Sequence, residues 1–487
     1  MANLSSQCGG CLRSSPWELV RMQGRWLESR EECGMQKGES LRRVIIMGAG
    51  GRDFHNFNMA FRDDPSVRVV AFTAAQIPGI EEKVYPATLA GLLYPEGIPI
   101  VAEERLPELV RLNRVNEVVL AYSDISHEVV GHHASVALAA GADFVLLGPE
   151  RTMLRTRIPV ISVCAVRTGC GKSQLTRHIC DLLRRRGIST VVIRHPMAYG
   201  DLTRQRVQRF ASGADLDAAQ CTIEEREEYE PLIGRKAIVY AGVDYRNILT
   251  QVEQERPQVV LWDGGNNDFP FIHSDLELVV LDPFRPGHGM LYHPGETNLR
   301  RADVLVINKV NTAPPHCVER VLEIVRQVNP KAILVQTAST YQVDRAAVIH
   351  GKSVVVIEDG PTVTHGGMSF GAGYLAARDL GAEEIVNPRP FLQGTLRETF
   401  AAYRHIGEVL PAMGYGPQQM ADLEATINAI PADLVLVATP VDLGRLLRLN
   451  KETVRLTYEM EPLGEPSPEA IIDGFIEGRG LTSQGVV

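Results

Sequence analysis

The sequence reads as an α/β protein of two successive units, each built on a mostly parallel sheet. Short apolar, β-branched runs alternate with stretches of helical period along most of the 487 residues, the rhythm that covers a parallel sheet on both faces. Two of those runs empty directly into glycine turns, Gly48-Ala-Gly-Gly51 and Gly169-Cys-Gly171, each followed by a helical stretch. Between them, Pro149 to Pro159 forms a proline-bounded connection carrying Arg151, Arg155 and Arg157. A chain of this length is expected to divide into two or three domains. The expected parts are an extension over 1–41, a first domain over 42–150, a second over 158–460 and a tail over 461–487.

In the first domain, Val44–Met47, Val67–Phe72, Glu117–Tyr122 and Phe144–Leu147 read as buried parallel strands. The opening strand and its glycine turn make the domain Rossmann-like and doubly wound. A full G-x-G-x-x-G needs glycine at 53, where Asp53 stands, and no acid closes the second strand, which leads into Thr73 to Gln76. A dinucleotide is therefore poorly supported. The glycines either make the turn alone or admit a phosphate or carboxylate near Gly50, Arg52 and His55.

The second domain opens on Val160–Ala165, followed by Arg167-Thr168-Gly169-Cys170-Gly171-Lys172-Ser173-Gln174 and a helix. Strand, glycine loop and helix together build a phosphate cradle. Backbone N–H groups close around the anion, the helix N-terminus adds its positive end, Lys172 reaches the outer phosphates and Ser173 is placed for Mg²⁺. Val166 stands where a regular Walker A has glycine, so the loop resembles the deviant K-G-G-x-G-K-[ST] form, with Arg167 at the signature lysine. That resemblance implies a cation that reaches nucleotide across a homodimer. The domain is thus expected to be P-loop NTPase-like, with further strands at Thr190–Ile193, Gln258–Trp262, Leu276–Leu281, Val304–Ile307 and Ala332–Val335. Ser353–Ile357 and Asp433–Val437 are expected to extend the sheet.

Ligands of such sheets collect at the strand C-termini. Asp263 closes an apolar strand before Gly264-Gly265, as a Walker B magnesium ligand does. Asn308-Lys309-Val-Asn311 resembles N-K-x-D, but an amide at 311 cannot accept both guanine donors, which favours ATP over GTP. Arg194 and His195 end one strand; Arg285 and His288 follow another. Arginines at these places suit a small, highly anionic phosphorylated substrate. Glu358-Asp359 and His365 lie in a glycine-dense stretch, Glu358 as a second metal ligand or base and His365 as a phosphate contact.

Hydrophobic content of 45% and charged content of 22% describe a globular protein, and no apolar run is long enough to cross a bilayer. A net charge of −9 gives no general attraction to nucleic acid. Eight scattered cysteines point to reduced thiols and a cytoplasmic setting. Residues 1–34 hold Cys8-Gly-Gly-Cys11 and Cys33 but no second pair to complete a four-ligand metal site, and read as a poorly ordered extension.

Taken together, Val166–Ser173, Arg194–Met197, Trp262–Asn267, Asn308–Asn311 and Glu358–Gly367 resemble cyclic 2,3-diphosphoglycerate synthetase over about residues 42–460. The resemblance implies an ATP-dependent ligase that closes 2,3-diphosphoglycerate into a cyclic pyrophosphate, releasing ADP and phosphate. Lys172, Arg167 and Mg²⁺ on Ser173 and Asp263 would neutralise developing charge, while Arg194, His195, Arg285 and His288 would clamp substrate. The same motifs suit a kinase or ligase acting on another small phosphorylated acid, or a nucleotide-dependent switch or metallochaperone GTPase.

Overall fold

The computed structural model describes residues 41–75, 83–195, 200–413 and 416–483. The expected N-terminal extension with its Cys8/Cys11 pair, Gln76 and Pro196-Met197 lie outside the described residues. The chain forms two compact units. The smaller holds residues up to Ala49, Phe61–Leu120 and Ala134–Val145; the larger holds Gly50–Ala60, Ala121–His133 and everything from Leu146.

In the smaller unit Arg42–Met47 lies between Val67–Ala74 and Glu117–Leu120, parallel to both. Ile98–Ala102 adds a parallel strand that sequence reading missed, Val84–Tyr85 an antiparallel one, and Asp143–Leu146 closes the far edge. Val44, Ile45, Ile46 and Met47 are all fully buried, which explains why this strand is continuously apolar rather than alternating.

The larger unit is organised by one thirteen-stranded sheet. Its first half runs Ile238–Ala241, Thr190–Arg194, Val259–Asp263, Val160–Ala165, Leu276–Leu281 and Val304–Ile307, all parallel, with Gln208–Phe210 antiparallel at the outer edge. Its second half is parallel too, with Ser353–Asp359 beside Leu434–Ala438. Two long strands join the halves. Ile333–Val343 begins parallel to Val304–Ile307, and Glu452–Pro462 begins parallel to Leu434–Ala438. Beyond those beginnings the two pair with each other antiparallel, Thr337 opposite Pro462 and Val343 opposite Leu456. Since each strand overshoots the C-terminal edge of its own half, those two edges face one another across the shared ribbon.

Each half has its own core. Val163, Val192, Leu261, Val279 and Val306 belong to the first, and Val355, Ile357, Leu436 and Leu423 to the second. Glu452–Pro462 serves both, with Leu456 in the second core and Met460 in the first. Residues 461–487, expected as a tail, include a helix, Pro468–Gly478. It packs on Lys172–Arg185 through fully buried Ile472, while Asp473 takes Arg186 in a two-pronged pair at 2.8 and 2.6 Å. Among the described residues no helix is long and apolar enough to cross a membrane.

Candidate active site

The helix Lys172–Arg185 sets the first boundary of the site. Leu175, Ile179, Leu182 and Leu183 recur on one buried face and fix it to the sheet. Its N-cap, Gly171, carries no side-chain acceptor, so the first-turn N–H groups are left for an outside anion. Position 171 must be glycine for two reasons. Its φ is +107°, and a Cβ there would lie 2.1 Å from the Asn308 amide nitrogen. That amide donates to Cys170 O at 3.2 Å and to Gln174 Oε1 at 3.1 Å, and Asn308 Oδ1 accepts from Thr337 at 3.0 Å.

Asn308 is therefore fully buried and committed to bracing the loop, not presented to a base as expected. Lys309 does likewise, its Nζ donating to Gly169 O at 2.6 Å and to Asp282 at 2.7 Å. Asn311 exchanges both of its hydrogen bonds with the Ser339 backbone, at 3.1 and 3.0 Å.

At the head of the helix Lys172, Asp263 and Arg194, three of the five residues expected to be catalytic, come together. Lys172 Nζ donates to Asp263 at 2.8 Å, Thr176 donates to the same oxygen at 3.1 Å, and Arg194 pairs with both Asp263 and Glu228. Ser173 donates to Glu228 at 3.3 Å. Burial pushes the Asp263 carboxyl up, but Arg194 and Lys172 outweigh it and hold the group below the usual carboxylate range. The site thus keeps an ionised acid between two cations beside an uncapped helix end.

A second cluster surrounds the start of the loop. Arg167 meets Asp124 at 2.6 Å and His288 Nδ1 at 3.2 Å, donates to His365 O at 2.9 Å and lies 3.6 Å over the Tyr292 ring. It is 4% exposed, so the cation expected to reach a nucleotide on another chain is held within its own. Thr168 N donates to Asp124 at 3.4 Å. Arg285 pairs with Asp282 at 3.0 Å and donates to Gly366 O and, at 3.5 Å, to Cys170 Sγ. Burial, then Arg167, lowers His288 to about 4, leaving it neutral.

His195 and Glu358 join neither group. The His195 ring pairs with Asp268 at 3.2 Å and packs where a Cβ on Gly51 or Gly265 would stand, 2.3 and 2.6 Å away. Those two glycines are explained by this ring. Asp268 also binds Arg52 at 2.9 Å, and His55 bonds Thr152 O at 2.7 Å while stacking on Phe271 at 4.2 Å. Gly50 N donates to Asp53 at 2.7 Å. The anion considered near Gly50, Arg52 and His55 consequently finds its donors engaged. Glu358 accepts from the N–H groups of Gly371, Tyr374 and Gly373 at 3.0, 2.8 and 3.3 Å, which accounts for the glycines there. Burial raises its carboxyl to about 7. His365 bonds Tyr403 at 2.9 Å through Nδ1. Among the described residues no group of three or more His, Cys, Asp or Glu has metal-holding geometry.

Sequence reading missed the acids that pair these cations: Asp124, Glu228 and Asp282. Asp282 had a signal, since it directly follows an apolar strand as Asp263 ends one. Glu228, one of five glutamates between residues 224 and 230, had none.

No family model matches the sequence. Over 432 residues, 89% of this chain and 96% of the relative, it is 55% identical to arginine synthetase ArcE of Thermococcus kodakarensis. Over 144 residues, 29% of this chain and 41% of the relative, it is 24% identical to tetraacyldisaccharide 4'-kinase of Rickettsia felis. Among solved structures, LpxK of Aquifex aeolicus in complex with ATP is 14% identical with a TM-score of 0.39, covering 72% of this chain and 95% of that one. A ParA family ATPase of Chlorobium tepidum is 14% identical with a TM-score of 0.21, covering 37% and 84%. The long match is to an arginine synthetase, where the motifs suggested a cyclic 2,3-diphosphoglycerate synthetase.

Proposed function

The chain belongs to the family of arginine synthetase ArcE, and from that premise we propose that it makes arginine at the expense of ATP. The observation that carries the reading is the meeting of Lys172, Asp263 and Arg194 at the uncapped end of the phosphate-loop helix. Phosphoryl transfer makes a poor leaving group a good one. The guanidinium of arginine has a direct oxygen precursor, the ureido group of L-citrulline. Its oxygen attacks the γ-phosphorus as the bond to ADP breaks; ammonia then attacks the ureido carbon, and phosphate departs with that oxygen. Ammonia is required because the incoming nitrogen of arginine carries only hydrogens.

Lys172 and Arg194 neutralise charge on the transferring group, and the helix N–H groups cradle its oxygens. Mg²⁺ fits here by donor chemistry, since Ser173, ionised Asp263 and Glu228 offer the oxygens a hard cation takes. When bound it adds positive charge next to the phosphates. Cyclisation of 2,3-diphosphoglycerate is the weaker reading on electrostatic grounds: Arg167, Arg194 and Arg285 each already face a carboxylate, whereas two dianionic phosphates call for uncompensated cations. We read the smaller unit as Rossmann-like from its parallel central strands.

The test is the full chain with ATP, L-citrulline and ammonium. ADP, phosphate and arginine should form in equal amounts, and Lys172→Ala should slow this by about 10²-fold or more. ADP release without arginine, or a cyclic product from 2,3-diphosphoglycerate in the phosphorus NMR spectrum, would overturn the reading.

A further inference from the structure

Along Arg455–Glu459 of the ribbon, and beside the phosphate-loop helix, lies a cavity of about 340 Å³. No step described above uses it. Four arginines line it, Arg177, Arg235, Arg445 and Arg455, with Asp442 and Glu459 among the carboxylates. That volume is at the small end of ligand pockets and suits one amino acid. Balanced charges of both signs suit a zwitterion better than a phosphate.

The lining falls into two parts. At one end, Arg445 and Arg455 approach Asp442 only to 3.7 and 3.5 Å. Arg455 Nη2 donates to Pro440 O at 3.1 Å, but its Nε is buried with no partner among the described residues. The Arg445 side chain is 84% exposed. These guanidinium groups are held loosely enough to receive a carboxylate. At the other end, Arg177 donates to Tyr458 O at 2.8 Å, and Arg235 joins Glu459 to Asp181.

The second end reaches the phosphate-loop helix itself. Arg177 stands four residues after Ser173 on Lys172–Arg185, the same face about one turn, or 6 Å, along. Ile223–Ile233 carries Glu228 against Ser173 and, three residues later, Pro231 against the cavity. That end of the cavity therefore abuts the two helices that carry Ser173 and Glu228.

We infer that this cavity is the acceptor pocket, taking the α-carboxylate and α-ammonium of an L-amino acid with its side chain directed to the phosphate loop. Arg445 and Arg455 hold the carboxylate, and the acidic side chains hold the ammonium. This rests on the arginine-forming reading and names where its substrate sits.

Calorimetric titration of the full chain with L-arginine and with agmatine, which has the same guanidinium but no carboxylate, tests the pocket. L-arginine should bind at least about tenfold more tightly than agmatine, the scale of a lost charge-assisted hydrogen bond. Arg445→Gln and Arg455→Gln should each remove most of that difference while ATP affinity stays as in the wild type. Arg445 is exposed enough that its replacement does not threaten folding. No binding of L-arginine, equal binding of the two compounds, or wild-type discrimination in both variants overturns the pocket. Turnover of the same preparations separates the two readings. Arginine formation undiminished in both variants sinks the pocket and leaves the synthetase. Discrimination lost in the variants, with no arginine made by the wild type, sinks the synthetase and leaves the pocket.

Discussion

Arg167 shows what single residues do here. Its side chain and that of Asp124 are 5% and 4% exposed, and each is the other's counter-charge. Removing one partner of a buried pair leaves an uncompensated ion, which costs about 3–5 kcal/mol. Arg167→Ala should accordingly lower the denaturation midpoint, and Arg167→Met combined with Asp124→Leu should recover most of the loss. An Arg167→Ala protein of wild-type stability but slowed turnover would return the residue to the transition-state role its sequence position suggested. The chemistry of the cations was legible in the sequence: arginines stand at the expected strand ends. Their partners were not, because Asp124 lies 43 residues before Arg167 and Glu228 lies 34 after Arg194, separations that only the fold closes. For the same reason Asn308 was read as a base contact, although Thr337 and the loop itself occupy its amide.

At the scale of elements, the phosphate loop is one piece with Asn308 behind it. Gly171→Ala should strain the backbone at φ +107° and push the Asn308 amide from its place. Nucleotide affinity should then fall by about tenfold or more, because the strained loop no longer holds its N–H groups in place. Fluorescent-nucleotide titration measures this, and unchanged affinity would mean the loop does not hold phosphate. Continuous apolar runs announced most of the buried parallel strands nearly in place, while Ile98–Ala102 and Ile238–Ala241 escaped. Glu452–Pro462 escaped because Arg455, Thr457, Glu459 and Glu461 alternate with apolar residues along it. Alternation marks a strand with one solvated face, and only its last two residues, Glu461 and Pro462, fall in the segment expected as a tail. Ile333–Val343 was read only as far as its buried parallel part; Ser339, Thr340 and Gln342 continue it onto the ribbon.

For the whole molecule, buried titratable groups of opposite tendency set the response to pH. Burial lowers His55 to about 3 and His293 to about 4. These rings stay neutral when folded but take a proton near 6.5 when unfolded, so stability is lost as pH falls below 6.5. Burial also raises Asp53, Glu277 and Glu358 to about 7. They keep protons in the folded chain that the unfolded chain gives up near 4, so stability rises as pH falls from 7 toward 4.5. The two trends oppose one another over the same window, so denaturation midpoints at pH 5, 6 and 7 should form a shallow plateau compared with the slope that either set of groups would give alone. Below about 4 the balance ends. Burial opposes ionisation of Asp263, Asp268 and Asp282, but neighbouring cations hold all three below their ordinary range, and protonating them removes that support. Glu277→Gln exposes the compensation, because it deletes one of the opposing groups without changing shape. The variant's stability should rise relative to wild type between pH 4.5 and 7 by about 1.4 kcal/mol per unit. Parallel pH profiles for the two proteins would show that Glu277 is ionised in the folded chain and that the plateau has another origin.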